Sequence, residues 1–350
     1  MNKERNSSIE LLRIILIAFV IGFHIISYGN LHPDHPLRIS DVNFYPSIIL
    51  ESIFVIAVNS FVLISGYYLI NASLEKFAKL YSQVFTYSVV ITVIAQTVFY
   101  INHRPIDFVD CIKSFFPIIT QEWWYFTAYI ILFLFAPILN KIILEDEKKL
   151  KYSIFIMFVV LCLSPTLRFP VIEGRGFNFV YFMFLYSVGA YIRKRGIPSL
   201  RISVISYFLS LIGIIVYTIL LDSINRNHGY KSSSFAYDNI LVLIASVSFV
   251  CLFLRGVNFK NCKINNVSKC VFGVYLFHEH PMIKFEISKI VHCEKFVLSD
   301  YFLLNIFLVI FIILTIGVTL EYCRIHTVEK YISYQFTRFF IFIRNRLKIN

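Results

Sequence analysis

An all-α integral membrane bundle is the fold that these 350 residues predict, and three observations predict it. Hydrophobic residues make up 58% of the chain against 15% charged, and the mean hydropathy is +0.71. Apolar runs recur at the length of about 20 residues that a helix needs to cross a bilayer core. Only short polar stretches separate them, and Lys and Arg gather in alternate stretches. So much apolar surface exceeds what one or two soluble cores can bury. An ordinary soluble enzyme, a disordered chain and a disulfide-stapled secreted domain are therefore excluded.

Residues 8–28 form the first expected span. They follow Lys3 and Arg5 and lack a small-residue cleavage site, so they read as a retained helix rather than a signal peptide. Nine more are expected at 46–70, 80–101, 123–144, 152–168, 177–193, 202–221, 238–255, 267–283 and 301–323. The fifth is short, the ninth is the most polar, and residues 102–122 have room for an interfacial segment. About ten helices in one bundle thus make a transmembrane domain over residues 1–323. Residues 324–350 are a basic amphipathic cytoplasmic tail, in which Phe336, Phe339, Phe340 and Phe342 mix with Arg338, Arg344 and Arg346. Such a pattern suits the inner membrane surface.

The net charge of +12 raises the question of nucleic acid, and its distribution answers it. With the N-terminus inside, 22 of the 33 Lys and Arg fall in inner segments, so both termini are expected in the cytoplasm. The basic excess sets orientation, and nucleic-acid binding is not needed. The seven cysteines show no CxxC and no zinc spacing; Cys162, Cys251 and Cys323 read as packing residues.

Ionisable side chains inside spans are expensive and usually functional. Arg13 and His24 share the first span. Eleven residues at 100° each bring them to within 20° of one face, about 16 Å apart along the axis. Arg13 sits near the inner end, where a snorkelling anchor is the alternative; His24 sits in the outer half, where an interhelical hydrogen-bonding histidine is the alternative. Glu51 enters the second span level with His24, where a carboxylate can set an imidazole's tautomer; an interfacial position is the bland reading. Asn59 lies mid-span, and Ser65-Gly66 lies near the inner end, where close packing through small residues is equally expected. The ninth span carries His278-Glu279-His280-Pro281. Because helical neighbours diverge by 100°, His278 and Glu279 are not both expected to point at His24. Glu122-Trp123-Trp124-Tyr125 opens the fourth span, either as an interface anchor or as a platform for a sugar ring. Arg175 opens the sixth and suits an anionic acceptor. His32-Pro-Asp-His35 is a weak metal pattern, and no metal site is assigned. A cationic inner end could hold a phosphorylated donor, while the imidazole acts as general base on a hydroxyl attacking an acyl group.

These residues resemble the integral-membrane acyltransferase 3 family of bacterial cell-surface O-acyltransferases. Arg13, ten residues and His24 look like its first-span signature, and Val58-Asn59-Ser60-Phe61 through Ser65-Gly66-Tyr67 looks like its second-span motif. Trp124-Tyr125-Phe126 through Pro137-Ile138-Leu139-Asn140 is similar to its tryptophan–aromatic stretch. Gly189-Ala190-Tyr191-Ile192-Arg193 and Phe272-Gly273-Val274-Tyr275-Leu276-Phe277-His278 match later segments. The resemblance implies a ten-helix bundle in the bacterial inner or plasma membrane and an acetyl or other short acyl group taken from cytosolic acyl-CoA. The acceptor would be a hydroxyl of a capsule- or exopolysaccharide-like glycan or its lipid-linked precursor. It implies His24, with Glu51 and His278, in catalysis, and Arg13 and Ser65 at the donor. Glu122, Trp124 and Arg175 would meet the acceptor. Acetyl-CoA is then a co-substrate and no bound cofactor is implied; a homodimer is an allowed assembly. Where many members carry Arg-x-x-Arg, this chain has Lys76-Phe-Ala-Lys79, onto which the resemblance carries donor binding; lysine keeps the charge but loses the bidentate fork for phosphate. The rival reading is a transporter or flippase for a glycolipid or small anion. It is weakened by the absence of a visible internal repeat.

Overall fold

A computed structural model describes residues 6–30, 41–167, 169–172, 174–224, 234–291 and 293–346. The His32/His35 pattern lies outside the described residues. Among those described, the chain is helical throughout with no strand: α1 (Ser7–His24, continued by a π-turn at Ile25–Asn30), α2 (Phe44–Phe54), α3 (Ala57–Tyr68), α4 (Leu74–Ile101) and α5 (Phe108–Lys113). Then come α6 (Trp124–Glu145), α7 (Glu147–Phe158, with a π-turn and one further turn to Thr166), α8 (Phe179–Arg195), α9 (Leu200–Ile224) and α10 (Ile240–Arg255). The last are α11 (Cys262–His278), α12 (Lys284–Ile290), a short turn at Cys293–Phe296, α13 (Phe302–Thr327) and α14 (Glu329–Arg346).

Every expected span falls on a helix. Among the described residues, seven helical stretches are long and apolar enough to cross a membrane, and the protein is an all-α, multi-pass membrane protein. The second span is broken at Val55–Ile56 into α2 and α3. Helices α8, α10 and α11 have only 16 or 17 residues, about 24–26 Å at 1.5 Å per residue. The short polar stretches do more than separate spans: they supply N-caps. Asn6, Ser73, Asp146, Asn178, Asn239 and Asn261 each accept a backbone N–H in the first turn of the helix that follows.

The most buried span is α2–α3, wrapped by α1, α8 and α10. Backbones meet directly between α3 and α8. A Cβ on Gly66 would lie 2.1 Å from the Tyr186 carbonyl oxygen, and one on Gly189 would lie 2.2 Å from that of Leu63. The Ser-Gly motif of the second span is thus a packing device at its glycine. Trp123 is buried against His280 and is not an interface anchor, and Cys323 faces outward from α13.

Two features set up the site. First, α1 and α11 start at one level. The Ser7 amide donates to the Phe259 carbonyl at 3.1 Å, and the Ser7 hydroxyl donates to Asn265 Oδ1 and accepts from the Asn261 amide, both at 2.8 Å. These helices have 18 and 17 residues and each ends in histidine, so His24 and His278 finish at the same height. Second, residues 102–122 fold back along α4. The Asp107 amide meets Gln96, Phe115 packs on Phe85, and the Ser88 hydroxyl, bonded to the Ser114 carbonyl, also reaches Glu122. Ser88 lies 13 residues below Ile101, about 20 Å along the helix. The expected interfacial segment is therefore a re-entrant hairpin. Its Phe108, Ile112 and Ile119 are exposed, as lipid-facing side chains are.

Candidate functional site

At the C-terminal ends of α1 and α11 three titratable side chains meet. His24 Nδ1 lies 2.9 Å from Glu279 Oε1 and 3.3 Å from His278 Nε2, and His278 Nδ1 lies 2.7 Å from the Val274 carbonyl. The partners assign the protons. A ring nitrogen facing a carbonyl must carry its hydrogen, so His278 is protonated at Nδ1 and offers a lone pair at Nε2. His24 Nδ1 therefore faces two acceptors and carries its own hydrogen, which leaves the lone pair of a neutral His24 on Nε2. A basic nitrogen backed by a carboxylate on the opposite ring atom is the arrangement of a general base whose imidazolium is stabilised as it forms.

Glu279 adds a carboxylate at His24 that was not assigned there from the sequence, and corrects one expectation; Glu51 is buried on α2. Both neighbours on α11 also reach His24, because the helix stops at His278. Glu279 is its C-cap, at φ −98° and ψ 8°, and Pro281 follows. The 100° rule no longer holds past a helix end. The same three residues bring ligand atoms within 4.8 Å of one another, a set able to hold a divalent cation.

Arg13 shares the His24 helix, as its spacing requires, and lies 3.6 Å from the buried Glu10, which also accepts from the Ser268 hydroxyl. Between the Arg13 and His24 levels stands a column of tyrosines. Tyr275 packs on His278 (6.2 Å between centroids) and on Tyr125 (5.6 Å); Tyr125 stacks on Tyr129 at 6.0 Å and 11°; Tyr129 is within hydrogen-bond reach of Ser65. Ser65 also donates to the Phe61 carbonyl of its own helix at 3.0 Å.

The remaining expected residues divide. Trp124 packs on Phe177 (4.5 Å) and Tyr237 (5.8 Å), and the Tyr237 amide donates to the Arg175 carbonyl at 3.2 Å. Exposed Arg175, at φ 50° between two glycines of positive φ, is thereby joined to Trp124. Asn59 anchors the same loop through the Tyr237 carbonyl at 2.9 Å. Glu122 is elsewhere, 2.9 Å from the buried His280 Nε2, and His280 Nδ1 accepts from the Met282 amide. This contact ties the re-entrant hairpin to the turn that carries Glu279.

At the other end, exposed Lys76 donates to the Asn71 carbonyl. Lys79 is paired with Glu329 at 2.6 Å, within a network the sequence reading missed. Arg324 grips Glu321 with two bonds of 2.8 Å and Glu329 with one of 2.6 Å, and Glu321 also accepts from Gln83 and Tyr87. Glu10–Arg13 and Glu321–Arg324 were both legible as i, i+3 pairs. Burial alone would push the Glu329 carboxyl up, but Lys79 and Arg324 hold it below the ordinary carboxylate range.

A family model described as an acyltransferase domain, acyltransferase family 3, matches residues 6–340. No curated protein and no solved structure matches.

Proposed function

The chain belongs to acyltransferase family 3, and on that premise we propose that it is an O-acyltransferase of the bacterial cell envelope. It moves an acetyl, or another short acyl, group from cytosolic acyl-CoA to a hydroxyl of a cell-surface polysaccharide or its lipid-linked precursor. The observation that carries this reading is His24 Nδ1 at 2.9 Å from Glu279, with His278 behind it.

His24 Nε2 takes the proton of the acceptor hydroxyl as its oxygen bonds to the acyl carbonyl carbon. The positive charge that forms on His24 is stabilised by Glu279 through Nδ1–H. The thioester C–S bond then breaks, and His24 returns the proton to the departing thiolate, so CoA leaves as a thiol. His278, locked by the Val274 carbonyl, positions His24 from the side. Arg13 and Lys76 attract the donor's phosphates at the inner end. The tyrosine column between the Arg13 and His24 levels suits the thiol arm of the donor, and Trp124 with Arg175 suits the sugar and its charge. This reading takes the chain to cross the membrane ten times with both termini cytosolic, supported by 22 of 33 basic residues on that side.

Replacing His24 with Ala is expected to lower O-acetylation of the cell-surface glycan about 10²–10⁴-fold, the usual contribution of a general base. Unchanged acetylation at normal protein level would overturn the proposal.

A further inference from the structure

Beyond the bonds of Gln83 and Tyr87 to Glu321, α4 and α13 are separated by a groove of about 820 Å³, within the size of small-molecule sites. One wall is a full face of α4, with Val90, Ile94 and Val98, and the other wall includes Leu320 of α13. Phe277 and Met282 form the floor. The α4 face extends from Thr86 to Asn102, about 24 Å by helical rise, close to the thickness of a bilayer's hydrocarbon core. Val90, Ile94, Val98 and Leu320 are all exposed, so the groove opens sideways to lipid.

The two ends differ in charge. Arg324 at the inner end is already bound to Glu321 and Glu329. Arg104 at the other end is exposed; its guanidinium lies over the Phe99 ring at 5.8 Å, and no carboxylate among the described residues pairs with it. The one carboxylate lining that end, Glu286, is held by Lys289 at 2.8 Å. The groove thus selects a long apolar chain whose anionic head sits beside Arg104. Its floor is the turn that presents the reacting groups: Met282 donates to His280 one residue after Glu279. A chain held here rests on Met282, in the turn that follows Glu279.

We propose that this groove binds the lipid anchor of the acceptor, a long apolar chain ending in a phosphoester, with the phosphate at Arg104. The proposal rests on the acyltransferase reading for the identity of the acceptor and adds the site of its anchor.

The test uses the full chain in phosphatidylcholine nanodiscs and a polyisoprenyl phosphate carrying a photoactivatable group on its chain. Adducts are mapped by mass spectrometry. They are expected on the α4 face and Met282, and unlabelled polyisoprenyl phosphate should compete for them. Ile94→Trp, at an exposed wall position, and Arg104→Gln should each lower labelling about tenfold, the order expected for losing one charge-assisted or space-filling contact. Ile205→Trp, on the exposed face of α9, should not. Adducts spread over the lipid-facing surface, insensitivity to both groove variants, or equal competition by phosphatidylglycerol would overturn the proposal; the last outcome would make the occupant a boundary lipid. Labelling needs no turnover. Its failure leaves the acyltransferase reading standing, and acetylation that survives His24→Ala leaves the groove standing.

Discussion

Two clusters of charge are buried in this apolar protein, and they are built for opposite purposes. The inner cluster joins Glu321, Arg324, Glu329 and Lys79, with Gln83 and Tyr87 completing the carboxylate's bonds. The outer cluster joins His24, His278 and Glu279. Glu321 and Arg324 are as buried as His278 and Glu279, with Lys79 at the exposed edge; what differs is whether a proton can move. Arginine keeps its charge at any physiological pH, and a fork-to-carboxylate grip has one best geometry. The inner cluster is therefore a clamp that fastens α14 to α4 and α13. Imidazole gains and loses a proton near neutrality and can pass it between its two nitrogens. The outer cluster is thus the one suited to chemistry, although the inner holds more charges.

The contrast can be broken, and the largest effect should be at the clamp. Arg324→Ala leaves the buried Glu321 without its cation and is expected to cost about 3–5 kcal/mol of stability. Thermal unfolding in detergent would register it as a lower Tm, with activity per folded molecule retained. If activity per folded molecule collapses at unchanged Tm, the clamp is part of the site.

Next comes Glu279→Gln, which is expected to lower turnover about 10–100-fold with little change in Tm, because the amide cannot stabilise a developing imidazolium as a carboxylate does. Glu51→Gln, assayed alongside, should be milder. The reverse order in a single-turnover acyl-transfer assay would return the His24 partnership to Glu51.

A smaller effect is expected for Glu329→Gln, about 1 kcal/mol at neutral pH, since this carboxylate is near the surface. Its folded pKa lies below the ordinary value. The stability it adds is therefore present above the unfolded value of about 4.3 and lost as pH falls through the lower folded one. The Tm difference between variant and parent should fade on acidification, and a difference that grows there contradicts the assigned ion pair. No loss is expected from chelation. If 1,10-phenanthroline abolished acyl transfer and zinc restored it, the three outer residues would be metal ligands rather than a proton relay.

How far the site could be read depended on distance along the chain. Arg13 and His24 were placed on one face by helical periodicity alone, and the unbroken α1 keeps them there. Glu10 was equally readable, three residues from Arg13. Glu279 was flagged in its His-Glu-His run but turned away from His24 by a rule that assumes a continuing helix. Glu122 was set at the outer surface with Trp124, whereas the return of residues 102–122 along α4 carries it to His280.

The sequence by itself determined the membrane class, the positions of the main helices and the shared face of Arg13 and His24. Apolar transfer energy and helix geometry act within about 20 residues, and both are written in local composition. Tertiary structure decided which carboxylate serves which histidine. His24 and His278 are 254 residues apart in sequence. They meet only because Ser7 pins α1 to the start of α11 and the two helices, nearly equal in length, both end in histidine. No local pattern encodes such a meeting; it follows from packing that leaves a buried N–H and a buried carboxylate no better partners than each other.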